Sequence, residues 1–252
     1  MNHQVEALPQ PLLDGLARLV REHWFRFVPA SQMRVALGEA ALAQWPAFAK
    51  SWDRLELDIY MADGGRYRRR RYATLSAAAG SAELRVEPHQ PHYQSVDYNC
   101  LNGGVARHFA AIEPAVLSSS TMLRTLETGL GLFQRLFPSL SAHVEVHQFR
   151  IEARADTMGR PTPEGAHRDG VDFVLVMMVR RHNIASGTTE IFDLQQRRRD
   201  GFTLTEPCDA ALVDDHKALH GVTPITPLDP GQPAWRDVLV ATYRGAGPDP
   251  HS

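Results

Sequence analysis

Apolar residues recur at spacings of three and four near the start of the chain: Leu12, Leu13, Leu16, Leu19, Val20 and Trp24 fall on one face of a helix. A second amphipathic stretch, 33 to 48, follows Pro29 and Ser31, a suitable helix start. Residues 9 to 50 therefore read as helical. The period then becomes two. Leu55-Glu56-Leu57-Asp58-Ile59-Tyr60 alternates and reaches the turn Asp63-Gly64-Gly65, and 67 to 75 reads as the returning strand of a hairpin. Helical spacing comes back over 116 to 137, with Met122, Leu123, Leu126, Leu130, Phe133 and Phe137 on one side, and Pro138 ends it.

Beyond Ala142 the pattern breaks into short strands, 142 to 151, 171 to 179, 188 to 193, 210 to 214, 220 to 225 and 237 to 243, punctuated by Gly159, Pro161, Gly187, Pro207 and Pro224. Many short strands with turns between them predict a sandwich, barrel or jelly roll. The expectation is a mainly β protein with two facing, largely antiparallel sheets and the two helical regions packed outside. Alternation should put Val238, Val240 and Thr242 on one side of the last strand and Leu239, Ala241 and Tyr243 on the other. No repeat, low-complexity segment or linker interrupts the chain, so 1–252 reads as a single domain.

Composition narrows the function. The 252 residues are 43% hydrophobic and 22% charged, an ordinary globular mix. A net charge of −2 argues against a dedicated nucleic-acid binder. Two cysteines, Cys100 and Cys208, make no disulfide framework, and a reducing cytoplasm is the simplest setting. The first residues show no secretory pattern. The most apolar run, 173 to 179, is far shorter than the about 20 residues of a bilayer span.

Chemistry concentrates in Pro163-Glu164-Gly165-Ala166-His167-Arg168-Asp169-Gly170-Val171-Asp172. His167 and Asp169, two apart, share one side of an extended strand, and Gly165 and Gly170 permit sharp backbone on either side. His220 follows in Leu219-His220-Gly221. Two imidazoles and a carboxylate on one face of a metal, with other positions open, form the facial triad of non-haem Fe(II) oxygenases. Arg236 opens the apolar strand 237 to 243. A guanidinium beside a buried strand needs an anion. That anion is either a structural Asp or Glu or the far carboxylate of a 2-oxo acid.

With these residues go Ser51-Trp52-Asp53, Tyr67-Arg68-Arg69-Arg70-Arg71-Tyr72, Gln94 with Tyr98-Asn99, Gly103-Gly104-Val105-Ala106-Arg107, Val146-His147-Gln148-Phe149-Arg150, Arg181-His182-Asn183-Ile184, Asp214-Asp215 and Arg236-Asp237-Val238-Leu239. Over about residues 50 to 245 the chain resembles the small Fe(II)/2-oxoglutarate dioxygenase family that contains bacterial L-isoleucine 4-hydroxylase and the BsmA-like biofilm-stress-motility proteins. The resemblance implies a double-stranded β-helix core over 51–245, jelly-roll or cupin-like, behind an N-terminal helical segment, 1–50. It also implies Fe(II) held by His167, Asp169 and His220, 2-oxoglutarate as co-substrate with its far carboxylate on Arg236, and O2. The implied activity is hydroxylation of a free aliphatic L-amino acid or similar small molecule, with succinate and CO2 as co-products. Ala185-Ser186-Gly187 departs from the paired glycines of relatives, in a loop away from the triad. Thr223 or Tyr243 is expected to help Arg236, with Arg244 and Arg150 next in line should Arg236 face solvent.

Competing readings are weaker. His216 and His220, four apart, suit a zinc site only on a helix, and Gly221 and Pro224 leave little helix. His89 and His92 read as surface residues of a proline turn, and the arginine runs as ion-paired faces with one member at a site rim. Trp52, Trp235 and 175 to 178 read as core, His182 as a loop residue and Cys208 as an unreactive thiol. One of His147 and Gln148 must face the barrel interior, and alternation does not say which. A non-catalytic stress or biofilm protein that senses 2-oxoglutarate or iron is the alternative from another class, and a zinc hydrolase a third. The expected partner is a small-molecule substrate, not nucleic acid or membrane, and a homo-oligomer stays open.

Overall fold

The fold is described from a computed structural model over residues 7–99 and 101–246, so Cys100 lies outside the described residues. Helix α1, Gln10–His23, buries Leu13, Leu16, Ala17 and Val20, one stripe of the expected pattern. It stops at Trp24, whose φ of 74° is left-handed. The next four residues overturn the helical reading of 9 to 50. Phe25–Val28 (β1) is a strand, antiparallel to residues 210 to 213. Its partner lies far along the chain, and local spacing carries no sign of it. The stretch 33 to 48 is also divided, into α2 (Ala30–Ala43), interrupted at Gly38 (φ 75°), and α3 (Trp45–Lys50). Pro46 has no N–H to continue a helical ladder, which accounts for the break.

The hairpin around Asp63-Gly64-Gly65 is present but short on one side: Glu56–Leu57 (β2) pairs with Arg68–Ala77 (β3), which also carries Arg85–Val86 (β4). After α4 (Pro114–Leu117), α5 runs Ser120–Leu136 as the 116 to 137 periodicity predicts. The Ser119 hydroxyl accepts from the Met122 N–H as its cap. The strands that follow are Ser141–Ala153 (β5), Phe173–His182 (β6), Ile184–Ser186 (β7), Thr188–Asp193 (β8), Arg198–Thr203 (β9), Ala210–Asp214 (β10), Ala218–Val222 (β11), Ile225–Pro227 (β12) and Ala234–Ala246 (β13). All six expected segments appear. The segment 220 to 225 is split in two, and β7 and β9 are additions.

These strands make one large antiparallel sheet, ordered β1-β10-β6-β13-β5-β3-β2 with β4 beside β3. Across from it lie two smaller antiparallel pieces, β11-β8-β9 and β12-β7. A cavity between the layers is lined from both sides, by Phe149, Val176 and Val240 of the large sheet and Thr189 and His220 of the smaller one. This is the double-stranded β-helix the sequence implies.

Alternation along β13 sorts its residues as predicted. Val238, Val240 and Thr242 line the cavity, while Leu239, Ala241 and Tyr243 join the core under α5 with Met122, Leu126, Leu130 and Phe133. Each Leu, Met or Phe side chain among them, removed from water, stabilises the fold by about 1.5–3 kcal/mol. Packing between α5 and β13 is tight at Gly129, where a Cβ would stand 2.1 Å from the Tyr243 hydroxyl. Gly129→Ala is therefore expected to lower stability by about 1–3 kcal/mol in urea denaturation. An unchanged midpoint would show that the helix can shift.

Candidate metal and co-substrate site

His167 reaches the cavity from an irregular segment that His220 of β11 captures by a two-way backbone bridge, N–H to C=O at 3.0 and 2.9 Å. The sequence separates these two histidines widely, and this bridge brings them together. Asp169 lies between the rings: its two carboxylate oxygens face His167 Nε2 and His220 Nε2, each at 3.5 Å. That separation is too long for a good hydrogen bond and suits donors that share an ion. The Nδ1 of His167 stands 3.0 Å from the Gly165 carbonyl, a contact that assigns its proton there and leaves Nε2 free as a ligand. Burial opposes the charged form of His167, yet without a cation the Asp169 and Glu164 carboxylates outweigh it and push its pKa up to about 9, so a bound metal takes the place of a proton on Nε2. Burial, with the neighbouring His167, holds His220 down at about 4.

Asp215 holds the motif from behind. Its carboxylate accepts the backbone N–H groups of Asp169, Gly170 and Val171 at 2.9, 2.8 and 3.1 Å. Burial, then the charge of Asp169, raises its pKa. The sequence showed Asp215 only as half of an acidic doublet; its role depends on which N–H groups the fold turns toward it. Asp215→Asn should weaken metal binding by about 10- to 100-fold in an anaerobic Fe(II) titration. A variant with wild-type affinity would reduce Asp215 to a loop brace.

A second cluster, His92, Glu145 and His147, also gathers three possible ligands. It suits a cation poorly: Arg70 Nη2 lies 2.7 Å from His147 Nδ1. Burial and the Arg70 charge hold the His147 pKa well below its usual value. His92, expected at the surface, is buried and lines the cavity, because its backbone pairs with Arg107; His89 is the exposed one. His147 is the inward residue of its pair, while Gln148 bonds the Ser51 hydroxyl on the helix side. His216 is solvent-exposed against Asp172, and β11 is a strand, so the helical zinc reading falls.

Arg236 is 2% exposed and lines the same cavity. Its Nε and Nη2 have no hydrogen-bond partner, and no carboxylate pairs with it among the described residues. Burial, then the nearby Arg181 charge, lowers its pKa to about 10. Of the expected helpers, the Tyr243 hydroxyl donates to Leu126 O on the helix side, while Thr223 Oγ1 accepts the Thr188 N–H and keeps its own O–H to donate. Arg150 lies on the opposite face, paired with Asp237 and Asp53, and Arg244 is exposed. The loop at Ala185-Ser186-Gly187 passes close: a Cβ on Gly187 would stand 3.8 Å from the Arg236 stem.

The arginine runs divide. Arg69 and Arg71 pair with Glu152 and Glu56 outside, and Arg197 and Arg199 with Asp193. Arg68 and Arg70 turn inward together to the buried Asp58, two inward members instead of the one expected. Trp52 is core, but Trp235 is half-buried on the outer face, stacked on His182 at the end of β6. Cys208 is buried, which pushes its thiol up to about 11, as expected of an inert thiol.

A double-stranded β-helix whose cavity gathers two imidazoles, a carboxylate and a buried unpaired guanidinium belongs to the class of mononuclear non-haem oxygenases. Residues 49–242 match the 2OG-Fe dioxygenase family, and the chain belongs to it: it is an Fe(II)- and 2-oxoglutarate-dependent dioxygenase that uses O2. It is 25% identical over 215 residues to the 3(1)-hydroxy-L-isoleucine 4-dioxygenase of Pantoea ananatis (strain AJ13355), covering 84% of this chain and 85% of the relative. It is 25% identical over 195 residues to the L-isoleucine-4-hydroxylase of Bacillus thuringiensis, covering 75% and 80%. Among solved structures, a BsmA homologue from Methylobium petroleophilum PM1 superposes with a TM-score of 0.85 at 33% identity, over 95% of this chain and 96% of that one.

Proposed function

We propose that the protein hydroxylates a free, aliphatic L-amino acid or a similarly small molecule, consuming 2-oxoglutarate and O2 and releasing succinate and CO2. His167, Asp169 and His220 hold the Fe(II), and Arg236 binds the far carboxylate of 2-oxoglutarate. The observation that carries this reading is the buried Arg236 without a carboxylate partner, in the same cavity as the two histidines and Asp169. A structural arginine would have an anion beside it, because an unpaired buried charge is costly. Fe(II) bound there supplies the activation of O2 and the oxidative decarboxylation of the co-substrate.

The chain's own residues bind, orient and exclude water. Gly165 O keeps His167 in one tautomer, Asp215 fixes the backbone that carries Asp169, and Arg236 sets the direction of the co-substrate. Val171, Val176, Val213, Val238 and Val240 give the cavity of about 140 Å³ an aliphatic wall without competing donors. The relatives named for isoleucine chemistry support a small amino acid as substrate. A cytoplasmic setting belongs to this reading; no helix among the described residues is long and apolar enough to cross a membrane.

The test is anaerobic Fe(II) loading with metal analysis, followed by 2-oxoglutarate turnover against the free L-amino acids, read as succinate and hydroxylated product. Coupled succinate and hydroxyamino acid are expected with an aliphatic member. Tight 2-oxoglutarate binding with no succinate from any amino acid would favour the sensing role instead.

A further inference from the structure

One buried arginine in the cavity has no part in the reading above. Arg107 is delivered by the loop between β4 and α4, and its backbone pairs with His92 in both directions at 3.0 and 2.9 Å. The loop turns tightly at Gly103, where a Cβ would meet Asn99 O at 2.4 Å, and at Gly104, whose φ is +80°. Buried Asn99 and Asn102 tie it down. Arg107 is 2% exposed, its Nε has no partner, and no carboxylate pairs with it among the described residues. Its neighbours Arg68 and Arg70 share Asp58, so that carboxylate is already used.

An anion in the same cavity has one oxygen to spare: Glu164 Oε1 faces His167 Nε2 at 3.5 Å. Its buried Oε2 has no hydrogen-bond partner. Glu145, the other carboxylate near Arg107, is engaged by the Tyr72 hydroxyl at 2.8 Å and by His92 at 3.3 Å. The fold thus holds a free guanidinium and a free carboxylate oxygen apart in one pocket, where each costs free energy until a partner arrives. A molecule carrying both charges a bond or two apart relieves both at once.

We infer that Arg107 and Glu164 are the two poles of a subsite for the head group of a free α-amino acid, the guanidinium taking its carboxylate and Glu164 its ammonium; this rests on the amino-acid hydroxylase reading. Such a subsite makes specificity a matter of unpaired charge: a ligand lacking either pole leaves a buried group unsatisfied.

Anaerobic calorimetric titration of the full chain, loaded with Fe(II) and 2-oxoglutarate, tests this with L-leucine, L-isoleucine and L-valine. The tightest of them is then compared with its N-acetyl derivative, its methyl ester, its des-amino acid and its decarboxylated amine. Loss of roughly 30-fold or more is expected for each blocked or truncated form. Arg107→Gln should weaken the amino acid and the des-amino acid but not the amine, and Glu164→Gln should show the mirror pattern. The 2-oxoglutarate affinity of each variant reports whether its site is intact, and the wild-type analogue series decides the matter where a variant does not fold. Blocked forms that bind as tightly as the parent would overturn the subsite alone. Loss of Fe(II) affinity in Glu164→Gln, equal to its loss of amino-acid affinity, would also overturn it and place Glu164 with the metal. An enzyme that turns over 2-oxoglutarate on another class of substrate, and binds no free amino acid, would sink the parent reading and this one together.

Discussion

His167→Ala and His220→Ala are each expected to abolish Fe(II)-dependent turnover while leaving the thermal melt within a few degrees of wild type. Three protein donors are the minimum that hold the metal and still leave positions open for co-substrate and O2. With one imidazole gone, Asp169 and a single imidazole remain of the three, and the next group at the site is the Glu164 carboxylate, 3.5 Å from His167 Nε2. The fold should survive, because His167 and His220 join the layers through backbone groups that alanine also has. Chelation of the wild type should remove activity in the same way, with Fe(II) restoring it and Zn(II) not. Turnover that persists in either variant would move the metal to other ligands, and the second cluster of His92, Glu145 and His147 would be the next place to look.

Arg236→Ala should raise the requirement for 2-oxoglutarate by about 30- to 1000-fold, the equivalent of about 2–4 kcal/mol for a charge-assisted bidentate contact. Fe(II) affinity, measured by anaerobic titration, should stay near wild type. A second readout follows from the missing carboxylate. Without co-substrate the guanidinium is a buried charge with no partner, so Arg236→Met should melt no lower than wild type and lose the stabilisation that 2-oxoglutarate confers. Arg236→Lys keeps the charge and loses the fork, and should fall between. Equal loss of iron and co-substrate would mark Arg236 as a structural residue instead.

Strand alternation and helical spacing were legible because both are local. The two sides of β13 could be read from Val238 to Tyr243 without any partner, and α5 from Met122 to Phe133. The sign of an alternation was not always available. His147 and Gln148 had to face opposite ways, but which one met the cavity depended on where the turn at Ser51 and Trp52, after α3, packed against β5. Phe25–Val28 was misread for a related reason: its strand state comes from pairing with 210 to 213, which no window around Phe25 contains. His92 was misread as a turn residue at the surface because the chain that covers it, around Arg107, is joined to it only by the fold.

By itself the sequence determined the class of fold, the flanking helices and the donor types near one point: His167 and Asp169 through their spacing, His220 and Arg236 through a pattern shared with a family. Only the tertiary structure decided which charges have partners. Asp215 gained its role from three N–H groups of the loop it faces, Arg68 and Arg70 found Asp58, and Arg236, Arg107 and Glu164 were left with unsatisfied atoms. Periodicity is a property of neighbours along the chain, whereas a missing counter-ion is a property of everything within a few ångströms in space. The first can be read in order, and the second exists only once distant segments have been brought together and water excluded from between them.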